Sequence, residues 1–258
     1  MVMSMADLED LRRAKRLLEN TSLAARFAQA VGRPLEKLTT MLPRGASDAV
    51  MAAVNRALEA AVDVSIKSLQ TRSIARTEAL HKIAVAATGA AGGAFGLAAI
   101  GLELPVSTTL MLRSIVDIAR EEGESLGSPE ARLACLQVFA LGGPISRDDA
   151  VDAGYFAVRA AMAQGLAEAA EFVAKHGVTG RGAPVVVRFV AQVAARFGVP
   201  VSEKLVAQSV PVIGALGGAA INVAFLAHFQ DVARGHFIVR RLERQYGSGT
   251  VREAYAAL

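Results

Sequence analysis

The chain has 258 residues, a net charge of +4 and 53% hydrophobic residues, which excludes a disordered polymer and allows one large or two small domains. Alanine supplies 51 residues, aromatics only 5%, and Trp is absent. Ala is the best helix former, whereas strands favour β-branched and aromatic residues, so composition alone predicts an all-α protein without sheets.

Residues 6–31 carry Leu8, Leu11, Leu18 and Phe27 at helical spacing amid mixed charge, which predicts an amphipathic surface helix. Gly32 and Pro34 end it, and a loop follows to about residue 46. Ser47 and Asp48 open a helix to about Arg72, and a further helix is predicted over 73–101. Pro105 lies near the start of the next, which stops at Gly123. Ser128-Pro129-Glu130 reads as a cap with Pro at the first helical position, opening a helix to Leu141. Gly142-Gly143-Pro144 breaks it, and Asp148, Asp149 and Asp152 suit the start of a long helix to about His176. Gly177 to Pro184 is the main internal boundary. Helices are predicted at 184–197, 202–209 and 211–246, with Thr250 and Glu253 as a capping box for a last short one. The sum is a bundle of about nine to ten helices around a Gly/Ala-rich helical core. An N-terminal unit (1–45) is set against a helical domain (46–258).

Two stretches carry no charge. Ile83 to Leu102 lies between Lys82 and Glu103, and Leu205 to Ala227 lies between Lys204 and His228. Their length admits a membrane span, but Ala and Gly drive insertion weakly. Small residues instead let helix backbones approach closely, so Gly89, Gly92, Gly93, Gly96, Gly214, Gly217 and Gly218 are predicted at close helix contacts. The two stretches also resemble each other: Gly89 to Gly123 and Gly214 to Gly247 each begin with a Gly-rich turn of helix and end in a charged one. Duplication and chance similarity of Ala/Gly sequence both fit.

The 22 Arg outnumber the 6 Lys but are spread along the chain, without the dense block of a nucleic-acid arm, so no nucleic acid is expected. No phosphate loop, nucleophile elbow or metal-ligand spacing is present, and no catalytic residue, metal or cofactor is assigned. The single Cys135 fits a reducing compartment, and the early charges around Asp7 predict a cytoplasmic chain. Glu103 stands among apolar neighbours and requires a counter-charge, for which Arg113 and Arg120 are candidates. Asn222 reads as a helix–helix hydrogen bond. His228 shares a helix face with Asp231 and has His236 two turns on. On the last long helix, Phe225, Phe229, Val232, His236, Val239, Leu242 and Tyr246 form a stripe, with Arg234, Arg240, Arg241 and Arg244 off it. That basic back is either an ordinary solvated face or a surface for anionic headgroups.

Segments 103–143 (ELPVSTTLMLRSIVDIAREEGESLGSPEARLACLQVFALGG) and 210–247 (VPVIGALGGAAINVAFLAHFQDVARGHFIVRRLERQYG) resemble the EcsC protein family. Glu103, Pro105, Arg113, Asp117, Pro211, Gly214, Gly217, Gly218, Asn222 and Phe237 carry the likeness, which covers roughly 45–257 and leaves the N-terminal helix outside. The family often has Asp where this chain has Glu103. The family is bacterial and named for a gene beside an ABC transporter. The resemblance implies a helical, membrane-associated protein with no established enzymatic activity, and a membrane transporter as a possible partner. The expectation is therefore a non-enzymatic protein peripheral to the inner membrane. An anionic membrane surface or lipid would meet Glu103, Arg113, Asp117, Asn222, His228, Arg234, Arg240, Arg241 or Arg244. The alternatives are a soluble protein enclosing an apolar ligand and an enzyme using Glu103.

Overall fold

The computed structural model describes residues 3–19, 23, 25–27, 46–67, 100–143, 154–177, 183–208 and 214–258. Among them are eight helices and no strand, so the fold is an all-α bundle. They are α1 (Met5–Glu19), α2 (Ala46–Lys67), α3 (Ile100–Glu121), α4 (Pro129–Leu141), α5 (Gly154–His176), α6 (Pro184–Gln208), α7 (Gly214–Tyr246) and α8 (Ser248–Ala257). The expected glycine contacts at Gly89, Gly92, Gly93 and Gly96, the Asp148–Asp152 helix start and Pro211 lie outside the described residues.

The short helix α4 is the hub. Ser128 Oγ accepts a hydrogen bond from the Ala131 amide at 3.1 Å, and Pro129 occupies the first turn, as the sequence predicts. Apolar residues surround the helix: Leu133, Leu136, Val138, Phe139 and Leu141 are all buried. A buried helix end leaves carbonyls that need donors. They come from two neighbouring helices: Arg196 Nε donates to the Ala140 carbonyl at 3.0 Å, and His228 Nε2 lies 2.7 Å from the Gly142 carbonyl.

Four phenylalanines from three helices meet beside this end. The ring centroids of Phe139 and Phe197 are 4.8 Å apart, Phe139 and Phe229 5.6 Å, and Phe225 and Phe229 5.1 Å. Tilted and edge-on rings at these separations are favourable beyond the area they bury. Among the described residues, the centre of the core is therefore aromatic, despite the low aromatic content of the chain.

α7 is 33 residues long, about 50 Å at the usual helical rise. Its stripe from Phe225 to Leu242 faces the core. α1 packs across it with Leu11, Ala14 and Leu18 buried. The contact is close: a Cβ on Gly235 would lie 2.7 Å from Leu18 Cγ and 3.1 Å from the Ala14 carbonyl oxygen. Phe27 continues the contact, stacked on Phe225 at 6.2 Å. α1 thus buries its apolar stripe in the same core as the rest.

Three boundaries differ from the sequence expectation. α3 starts at Ile100, so Pro105 lies inside the helix and removes one early hydrogen bond. α6 runs unbroken through Pro200, where two helices were predicted. Pro200 deprives the Arg196 carbonyl of its helical donor, and that carbonyl faces Gly143, where a Cβ would sit 3.0 Å from it. α8 begins at Ser248 behind Gly247, with φ of +85° and no side-chain cap, rather than at a Thr250–Glu253 capping box.

Candidate functional site

The stretch from Phe156 to Ala174 on α5 has a face that no other described element fills. Ala160, Ala163, Ala167, Ala170 and Ala174 recur at alternating intervals of three and four, so they form one stripe. Together with α4 and the junction of α7 and α8 this stripe borders an open groove of about 920 Å³. That volume lies within the range of small-molecule sites. Charge is concentrated where α7 meets α8, with Arg240, Glu243 and Arg252 joined by Arg159 of α5 and Glu130 of α4. Arg159 donates to both oxygens of Glu243 at 2.9 Å, a fork-to-fork pair that fixes the guanidinium. It also donates to Tyr155 Oη at 3.3 Å, and Tyr155 Oη lies 2.8 Å from His236 Nδ1. The groove wall is thereby tied to the core. Burial, followed by the charges of Arg159 and Arg240, holds His236 well below its ordinary pKa.

A second polar cluster lies within the core. Lys204 Nζ is 2.7 Å from Glu103 Oε1, and Asn222 Nδ2 donates to the same oxygen at 3.0 Å. The Lys204 and Glu103 side chains are 2% and 6% exposed. Burial pushes the lysine pKa down, and the adjacent carboxylate opposes that shift. Neither expected partner is used. Arg113 stands ten residues along the same helix, about 15 Å away in rise, and Arg120 pairs with Asp117 at 2.9 Å.

A model of the EcsC protein family matches residues 6–242. The chain belongs to the EcsC family. No curated protein and no solved structure matches it. The family match begins within α1, which corrects the expectation that the N-terminal helix lies outside the resemblance. Of the residues carrying the likeness, Glu103 and Asn222 are joined in the buried cluster, and Phe237 is in the core. Arg113 is exposed, and Gly218 is buried on α7. Gly214 and Gly217 open that helix.

In this EcsC-family chain the four arginines of α7 are each engaged by carboxylates. Arg240 donates to Glu124 at 2.8 Å and reaches Glu130 at 3.4 Å, and Arg244 also binds Glu124. Arg241 lies 2.5 Å from Asp10 and 3.1 Å from Glu122. Arg234 pairs with Asp231 at 3.3 Å, which Arg26 approaches to 2.5 Å. The basic back therefore clamps α1 and the α3–α4 turn to α7. Burial raises the Glu124 pKa, but Arg240 and Arg244 outweigh it and hold the carboxyl below its usual range. His228 is 3% exposed and bound to Gly142, so it faces the core, apart from any ligand surface. Burial pushes its pKa down to about 4. Among the described residues no group of three His, Cys, Asp or Glu is placed to hold a metal.

The groove is what sequence reasoning missed. Its signal was present as five alanines at heptad-like spacing, but Ala is equally at home on a packed or an open face.

Proposed function

We propose that this EcsC-family chain is a non-enzymatic, lipid-interacting protein that works at the cytoplasmic face of the bacterial inner membrane. The observation that supports this reading is the groove along α5. Small side chains leave a largely apolar channel over Ala160 to Ala174, with most of the charged lining at one end and Glu171, paired with Lys175, at the other. An amphipathic molecule has the same division: a chain that gains by leaving water and a head that stays polar. A link to a membrane transporter rests on the family resemblance. Glu103 fits a structural role, because Lys204 and Asn222 already engage its carboxylate.

Among the described residues α6 alone is long and apolar enough to cross a membrane. Its Val186, Phe189, Val193, Phe197 and Val201 pack in the core, so α6 supports the bundle and peripheral attachment is the better reading. Flotation with vesicles of zwitterionic lipid, with and without anionic lipid, tests the proposal. The protein is expected to float with vesicles at low salt. Protein that stays at the bottom of both gradients contradicts peripheral attachment.

A further inference from the structure

Three polar features of the groove have no task within the fold. Gln137 of α4 is 3% exposed, lines the groove, and makes no hydrogen bond with a described residue. Neither of its amide atoms is sealed from solvent, so the amide opens into the groove, where an occupant can take the place of its water. Arg252 of α8 stands with its guanidinium 5.9 Å from the Phe156 ring centroid and enters no ion pair among the described residues. Arg159 and Arg240 at the same end are committed to Glu243, Glu124 and Glu130. Ser248 and Gly249 open α8 and also line the groove, and Gly247 before them offers no side-chain cap. Their amides are donors at the positive end of a helix.

We infer that the groove takes a phosphate ester bearing a single alkyl chain. This rests on the lipid-interacting reading and names the head that the site recognises. Phosphate oxygens are several and outward-facing, which suits a free guanidinium fork together with two helix-terminal amides. The Gln137 amide donates to an oxygen deeper in the groove, where the head joins the chain. The chain lies on the alanine stripe, which spans about 21 Å of α5. A stripe one residue wide accommodates one chain.

Calorimetric titration of the whole protein with decyl phosphate, decyl maltoside and inorganic phosphate tests the assignment, with alkyl probes kept below micelle formation. Decyl phosphate is expected to bind at least about tenfold tighter than either of the others. Arg252→Gln, at an exposed position, is expected to remove roughly that advantage and leave decyl maltoside unchanged. Gln137→Leu is expected to weaken decyl phosphate with an unchanged melting temperature. Equal affinity for the two alkyl probes overturns the phosphate assignment but leaves the lipid reading standing. Inorganic phosphate binding as tightly as decyl phosphate overturns the chain assignment. Binding of none of the three overturns both.

Discussion

Glu103 and Lys204 are each other's counter-ion, with 2.7 Å between carboxylate oxygen and ammonium. In the sequence they are the charges that close off the two charge-free stretches, one at the end of the first and the other at the start of the second. Their meeting joins the start of α3 to the later part of α6, and Asn222 adds α7. A buried pair of this kind is maintained by mutual dependence: each charge is tolerable because the other is present.

Lys204→Met should therefore destabilise the protein by about 3–5 kcal/mol, since it leaves a carboxylate buried without its cation. Lys204→Met combined with Glu103→Leu should recover most of that loss, because an apolar pair has no charge to desolvate. Urea unfolding of the single and double variants checks it. A double variant less stable than the single would contradict the account.

Gly235→Ala is expected to cost about 1–3 kcal/mol through overpacking, despite the roughly 1 kcal/mol that Ala gains in helix propensity. The added Cβ would meet the Ala14 backbone and the branch point of Leu18, neither of which yields easily. Thermal unfolding of Gly235→Ala against a solvent-exposed control, Gly249→Ala, separates the effect of space from that of propensity.

The α7 stripe and the Ser128-Pro129 cap are legible in the sequence because each is a local rule: periodicity in one, side-chain capping in the other. The partner of Glu103 is not, since sequence proximity favours Arg113 while three-dimensional packing selects Lys204, 101 positions away. Pro200 reads as a break because the sequence shows the missing donor and not the packing that sustains the helix. Gly235 stands in a run of mixed residues with no glycine partner nearby, so its contact with α1 becomes visible only when both helices are placed. The groove is a property of what four elements leave uncovered.

Acid should weaken the fold through His228. Its folded pKa of about 4 lies below the ordinary 6.5, so the unfolded chain binds the proton more readily. The stability linked to this residue is complete above pH 6.5 and is lost as pH falls from 6.5 toward 4, on the order of 3 kcal/mol. His228→Gln retains an amide donor for Gly142 and cannot titrate, so its unfolding midpoint should fall less steeply over that window. Parallel curves for the two proteins would contradict this.

Glu124 is 4% exposed at the side chain and holds both Arg240 and Arg244. Glu124→Gln leaves Arg240 without its closest carboxylate, and a loss of about 3 kcal/mol is expected. Its pKa is held below the ordinary range, so this contribution is present above pH 4.5 and is lost as pH falls through the lowered value. Chemical unfolding at pH 7 and at pH 4 checks both statements: the difference between wild type and variant should shrink at the lower pH.

The groove is tested most directly by filling it. Ala167 lies in the middle of the alanine stripe and faces open space, so Ala167→Phe should occupy the channel without disturbing the core. Native mass spectrometry of detergent-free protein incubated with a single-chain phospholipid should show a one-to-one adduct for the wild type. The variant should melt normally and show little or none. An adduct of equal abundance on both proteins, or none on the wild type, would contradict the account.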